Sequence, residues 1–196
     1  MRQIFNFPEY IDVLHQEILL DSNNEWFNPS KRSFVGCKMK FVNGNLDPYS
    51  FQNMSNHAHL KNPKFNSAFS KTLEFCNFVR ELAGSTSPFG RMCIWQVPPH
   101  EVISTHVDDH AYHRCVNRWC YFITNSADST KVIVSDQVIP SDAGTLFEFR
   151  PAPESHSFSN LSDQTWYFLS FDIWEPENLE NILPDDGQSI RYLSTH

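Results

Sequence analysis

Apolar positions along the chain follow two rhythms, and the change falls near Arg91. Before it, they recur at three-to-four spacing. In "NFPEYIDVLHQEILLD", Ile11, Leu14 and Ile18 share one helical face, and Pro8 after Asn6 suits a first helical position. In "NSAFSKTLEFCNFVRELAG", Phe69, Leu73, Cys76, Val79 and Leu82 do the same, with Asn66 or Ser67 as the cap and Gly84 as the stop. Between the two helices, "SFVGCKMKFVNGN" reads as a strand that ends in an Asn-Gly turn.

From Arg91 onward the rhythm is that of short β runs. These are "RMCIWQV", "EVISTHV", "RWCYFIT", "TKVIVS", "GTLFEF", "HSFSN" and "TWYFLSFDIW", separated by turn signals such as "VPPH", "TNSADS" and "IPSDAG". Evenly spaced short strands predict a sandwich or barrel, with jelly-roll and cupin-like double-stranded β-helices among the options. The expected class is therefore mainly β with flanking helices (α+β). No repeat, low-complexity tract or linker divides the chain, so one domain is expected over residues 1–196. Within it, residues 1–85 form a supporting region of helix and strand, and residues 86–180 form the β core.

Size and composition agree with that picture. A chain of 196 residues, 40% of them hydrophobic, is long enough to bury a substantial core. No apolar run approaches the roughly 18–20 residues that span a bilayer. The opening "MRQIFNFPEY" has no signal-peptide pattern, and the five cysteines never form a CxxC pair, so a soluble, cytoplasmic protein with free thiols is expected. The net charge of -8 argues against nucleic acid as a partner, because counterion release needs a basic face.

One stretch, "THVDDHAYHRC", concentrates ligating side chains. His106 and Asp108 flank Val107 on a β run, and residues two apart on a strand point to the same face, so both could meet one ion. Asp109 falls on the opposite face. His156, in "PAPESHSFSN", precedes another apolar strand. Two imidazoles and one carboxylate make the facial triad that holds ferrous iron with open positions for oxygen. The competing reading is a polar loop at a strand end that merely meets solvent.

The order of these features resembles a known family. From about Met92 to Pro176, "VPPHEVISTHVD", "NRWCYFIT", "GTLFEFRPAPESHSFSN" and "FLSFDIWEPE" are similar to the Fe(II)/2-oxoglutarate-dependent oxygenases. The branch they resemble is that of the aspartyl/asparaginyl β-hydroxylases, which includes bacterial free-proline hydroxylases. The resemblance implies that His106, Asp108 and His156 are catalytic iron ligands, and that Fe(II), 2-oxoglutarate and O2 are used. It makes Arg118 a contact for the cosubstrate's carboxylates. It also implies hydroxylation of a C–H bond, in a small amino-acid-like substrate or in a peptide Asp/Asn side chain.

The chain departs from the family at Trp166, which stands where an arginine usually binds the far carboxylate of 2-oxoglutarate. An indole offers one neutral donor where a guanidinium offers charge and two parallel bonds. Arg118, Lys131, Arg150 and Arg114 are the candidates to replace it. His110 and His113 are possible substrate contacts or partners of the ligands, and Asn160 a possible neighbour of the site. His100 reads as a turn residue, and Cys115 and Cys120 read as small buried hydrophobes. Two further readings stay open: a cupin-like metalloenzyme that does not use 2-oxoglutarate, and a non-catalytic β-barrel binding module.

Overall fold

The computed structural model describes residues 3–21, 26–28, 36–43, 65–108, 111–125 and 127–176. Six strands form one sheet: β1 (Ile4–Asn6), β2 (Lys38–Phe41), β3 (Phe89–Val97), β5 (Val116–Phe122), β8 (Thr145–Phe149) and β10 (Trp166–Trp174). Their spatial order is β1-β8-β5-β10-β3-β2. Four more, β4 (Val102–His106), β6 (Thr130–Val134), β7 (Gln137–Ile139) and β9 (His156–Asn160), form a second sheet in the order β4-β9-β6-β7. Neighbouring strands run antiparallel, and from β3 to β10 the chain alternates between the two sheets except at the β6–β7 hairpin. This topology is the double-stranded β-helix expected from the strand spacing.

The large sheet buries both faces, which is why β3 and β10 read as near-continuous apolar runs. On its inner face Trp95, Phe122, Phe147 and Phe168 meet Ile103, Val132 and Phe158 of the small sheet. On its outer face Ile94, Trp119, Tyr121, Leu169 and Phe171 pack under two helices, α1 (Ile11–Leu20) and α2 (Ser70–Leu82). Side-chain alternation along each strand separates these two cores.

Both predicted helices form, with local corrections. Pro8 opens a 3-10 turn (Pro8–Tyr10) ahead of α1 rather than the helix itself. The buried face of α2 is Thr72, Phe75, Cys76 and Val79, whereas Leu82 is 43% exposed. Tertiary contact explains the rotation: Phe75 lies against Tyr10 and Tyr121, with ring centroids 4.7 and 4.6 Å away. Glu17 of α1 also accepts hydrogen bonds from the amides of Lys71 and Thr72, satisfying donors that an isolated helix would leave open. The Asn-Gly turn expected after β2 falls partly outside the described residues.

Two strands carry no clear sequence signal. β1 is three residues long and pairs with β8, Ile4 opposite Phe147. Gly144 permits that approach, because at φ +91 a Cβ would stand 2.8 Å from the Asn6 side chain and 3.1 Å from Pro8 Cα. β7 returns on β6 through Ser135 and Asp136, both at positive φ, a hairpin turn built without glycine.

Candidate metal centre

The centre sits where β4 meets β9, and a bulge in β4 creates it. Ile103 faces Phe158, and strict pairing would then bring Thr105 opposite His156. One extra residue on β4 shifts the register, so His106 takes that place. Ser104 and Thr105 both turn to solvent, and His106 joins the inner face that Ile103 occupies. The two imidazole centroids are 4.3 Å apart.

Asp108 lies beyond the end of β4, where its amide donates to the carbonyl of Pro151 at 3.0 Å. Its carboxylate still returns to the same face. Ligand atoms of His106, Asp108 and His156 lie within 4.8 Å of one another, the one such group among the described residues. Asp108 Oδ1 is 3.6 Å from His106 Nε2, and Oδ2 is 3.9 Å from His156 Nε2.

The surroundings fix how these atoms point. His106 Nδ1 donates to the Ser104 carbonyl at 2.7 Å, and His156 Nδ1 donates to the Glu154 carbonyl at 3.1 Å. Each bond puts the ring proton on Nδ1 and leaves the Nε2 lone pair facing the centre. Burial lowers the His156 pKa to about 4, so the imidazole is neutral near pH 7. Burial is the largest single influence on Asp108 and would raise its carboxyl, but the surrounding positive groups, Arg118 foremost, together outweigh it and hold the group well below its usual value. Three electron-pair donors of this kind fit a divalent first-row metal ion.

Arg118 organises the carboxylates. It donates from Nη1 to Asp108 at 2.6 Å, and from Nε and Nη2 to the two oxygens of Asp172 at 2.7 and 3.1 Å. Nη2 also meets His113 Nδ1 at 3.1 Å. Arg118 lines the cavity, and its fork is engaged by these two carboxylates. His113 is buried beside it, whereas Asp109 and His110 lie outside the described residues.

An open cavity, about 440 Å³ with its mouth included, adjoins the three ligating residues. Beneath it the inner face of the large sheet is ordered in rows. Arg118 pairs with Asp172 and Phe149; Cys93, Ser170, Cys120 and Phe147 stand abreast; Trp95, Phe168 and Phe122 follow; Trp166 and Val97 lie deepest. The second row includes two thiols and a hydroxyl, and its small side chains leave the space open. The third row closes it, because Phe168 stacks on Phe158 and Trp95 with centroids 4.9 and 5.9 Å apart.

This ordering settles where the other candidate residues lie. Trp166 is buried behind Phe168 and does not line the cavity. Lys131 is exposed on β6, and Arg150 pairs with Glu175 at 2.9 Å; neither lines the cavity. Arg114 is exposed. The Asn160 amide meets the carbonyls of Val97, Pro98 and Gln164, so it ties the β3 and β9 ends together rather than serving the ligands. His100 pairs with Asp163 at 2.9 Å on the surface. Cys120 is buried in the wall with its thiol pushed up by desolvation, which disfavours a thiolate.

The residue that sequence reasoning missed is Arg91. It reads as the first letter of an apolar run, yet it is 7% exposed and lines the cavity. Alternation along β3 aims it inward, since Cys93 belongs to the inner core and Met92 to the outer one, and a second bulge opposite Asp172 comes next to it: Phe171 faces Met92 and Ile173 faces Phe89, with one extra residue on β3. Asn43 clamps this bulge, donating to the Gly90 carbonyl at 2.6 Å and accepting from the Met92 amide at 2.8 Å. A charged residue at the head of a hydrophobic strand was the available signal.

No protein-family model and no curated protein sequence matches the chain. Solved structures do match in fold. A Pseudomonas putida prolyl-4-hydroxylase superposes with a TM-score of 0.61 at 10% identity, covering 89% of this chain and 92% of its own. A Trichoplax adhaerens prolyl hydroxylase, in complex with a hypoxia inducible factor peptide fragment, gives 0.59 at 14% identity over 90% and 84%. A Burkholderia pseudomallei oxidoreductase of the 2OG-Fe(II) oxygenase family gives 0.50 at 12% identity over 82% and 77%. At these identities the likeness is one of fold.

Proposed function

We propose that the chain is a non-haem Fe(II)-dependent dioxygenase, with the metal held by His106 Nε2, the Asp108 carboxylate and His156 Nε2. The supporting observation is the convergence of these groups with both Nδ1 atoms anchored to carbonyls. The bound ion would supply reductive activation of O2, with a 2-oxo acid giving up two further electrons as it loses CO2. The chain's own residues prepare this chemistry. Arg118 keeps Asp108 ionised and oriented; Phe149, Phe158 and Phe168 exclude water from the cavity side.

2-Oxoglutarate is the cosubstrate in this reading, and the reaction is hydroxylation of a C–H bond. Motif resemblance to the aspartyl/asparaginyl β-hydroxylase branch supports a small amino-acid-like substrate or a peptide Asp/Asn side chain. The peptide held by the Trichoplax adhaerens neighbour keeps the second class in view. Among the described residues no disulfide joins the five cysteines, which suits a reducing, cytoplasmic setting.

The placement of Trp166 favours one alternative, a metalloenzyme of the same fold that does not use 2-oxoglutarate. Anaerobic titration with Fe(II) and then 2-oxoglutarate decides. A visible charge-transfer band that saturates at one equivalent is expected. Iron uptake without the band would transfer the assignment to the alternative, and failure to take up iron would leave a non-catalytic binding module.

A further inference from the structure

Asp108 owes little of its aim to its own strand. It lies beyond the end of β4, and among the described residues Arg118 Nη1 is the one hydrogen-bond donor to its carboxylate, at 2.6 Å from Oδ2. Oδ1 is left 3.6 Å from His106 Nε2. The direction of this ligand therefore depends on a long arginine side chain, which has many rotamers unless its fork is fixed.

Two residues fix it. Asp172, fully buried and opposite Arg118 on β10, accepts from Nε and Nη2 with its two oxygens at 2.7 and 3.1 Å. His113, in the 3-10 turn Ala111–Arg114 ahead of β5, meets Nη2 at 3.1 Å and is buried. A guanidinium has donors only, so His113 Nδ1 must accept and its ring proton sits on Nε2. This is the tautomer opposite to that of His106 and His156, whose Nδ1 atoms donate to carbonyls.

Charge gives Asp172 a second task. A guanidinium without compensation beside Asp108 would repel the cation that Asp108 is there to hold. Asp172 supplies the opposite charge at another edge of the fork, so the carboxylate ligand is oriented without that repulsion.

Resting on the metal-dependent reading above, we propose that Asp172 and His113 are positioning residues for the metal. Acting through Arg118, they hold the Asp108 carboxylate toward the His106/His156 pair and keep the clamp electrically neutral.

The test is Mn(II) affinity, followed by electron paramagnetic resonance of the free and bound ion, in variants whose fold is checked by circular dichroism. Asp172→Asn keeps the shape of the side chain but drops its charge, and should weaken Mn(II) binding by about tenfold or more. Because Asp172 acts through Arg118, the same substitution made in Arg118→Gln should change the affinity by no more than about twofold. His113→Leu, which strands an Nη2–H, should weaken Mn(II) several-fold. His113→Asn, whose carboxamide oxygen replaces the Nδ1 acceptor, should recover most of that loss. A merely structural residue would show neither the dependence on Arg118 nor the rescue. Unchanged affinity in Asp172→Asn, an equal loss in both backgrounds, or equal losses in His113→Leu and His113→Asn overturns the clamp while the metal centre stands. Where Arg118→Gln does not fold, the His113 pair decides alone. Wild-type protein that takes up no Mn(II) overturns the metal centre, and the oxygenase reading with it.

Discussion

His106 and His156 face each other across β4 and β9 only because β4 carries one extra residue between Ile103 and His106. In a regular strand His106 would share the outward face with Ser104 and leave His156 without its neighbour. The bulge therefore acts as a ligand-aiming device, as bulges beside functional sites commonly do.

His106→Ala and His156→Ala should each lower Mn(II) or Fe(II) affinity by more than about tenfold while keeping a wild-type far-ultraviolet circular dichroism spectrum. Metal content after gel filtration is the measurement. Full stoichiometric retention in either variant would remove that histidine from the ligand set.

Arg118→Gln leaves Asp172, fully buried, without its bidentate partner, and a loss of about 3–5 kcal/mol is expected in urea unfolding. Adding Asp172→Asn removes the under-compensated charge and should recover part of the loss. A double variant no more stable than the single one would show that packing, not uncompensated charge, sets the cost.

Acid should act through the same pair. Burial alone would raise the Asp172 carboxyl, but Arg118 and Arg91 hold it below the ordinary 3.8. A depressed folded-state pKa contributes stability that is complete above the unfolded value and is lost as pH falls below it through the folded one. The urea midpoint should therefore decline below about pH 4, and Asp172→Asn should flatten that decline. Parallel curves for wild type and variant would contradict the assignment.

Asn43→Ala removes both side-chain bonds to the β3 bulge and leaves the buried Met92 amide unsatisfied, which should cost about 1–3 kcal/mol. Thermal unfolding measures it. Asn43→Asp, which keeps the acceptor for Met92 but sets a buried carboxylate oxygen against the Gly90 carbonyl, should cost at least as much as alanine.

Much of the molecule was legible in one dimension. Turn residues between short apolar runs gave the strands of the double-stranded β-helix, because local turn chemistry and period-two burial are properties of the sequence itself. His106, Asp108 and His156 stood out for the same kind of reason: each is a polar ligating group at the edge of an apolar strand. The strands β1 and β7 did not, since three residues carry too little periodicity, and Ser135-Asp136 is a turn without the usual glycine.

What only the tertiary structure decided depends on register. A single extra residue reverses which face every following side chain occupies, and neither the β4 bulge nor the β3 bulge has a composition that announces it. His106 meeting His156 follows from such a shift. The fate of Trp166 follows from the stacking of Phe168, Phe158 and Trp95, residues far apart in the chain. Sequence determined which chemical groups the protein possesses and which segments become strands. Folding decided which of those groups share one cavity, because that is set by pairing between distant strands.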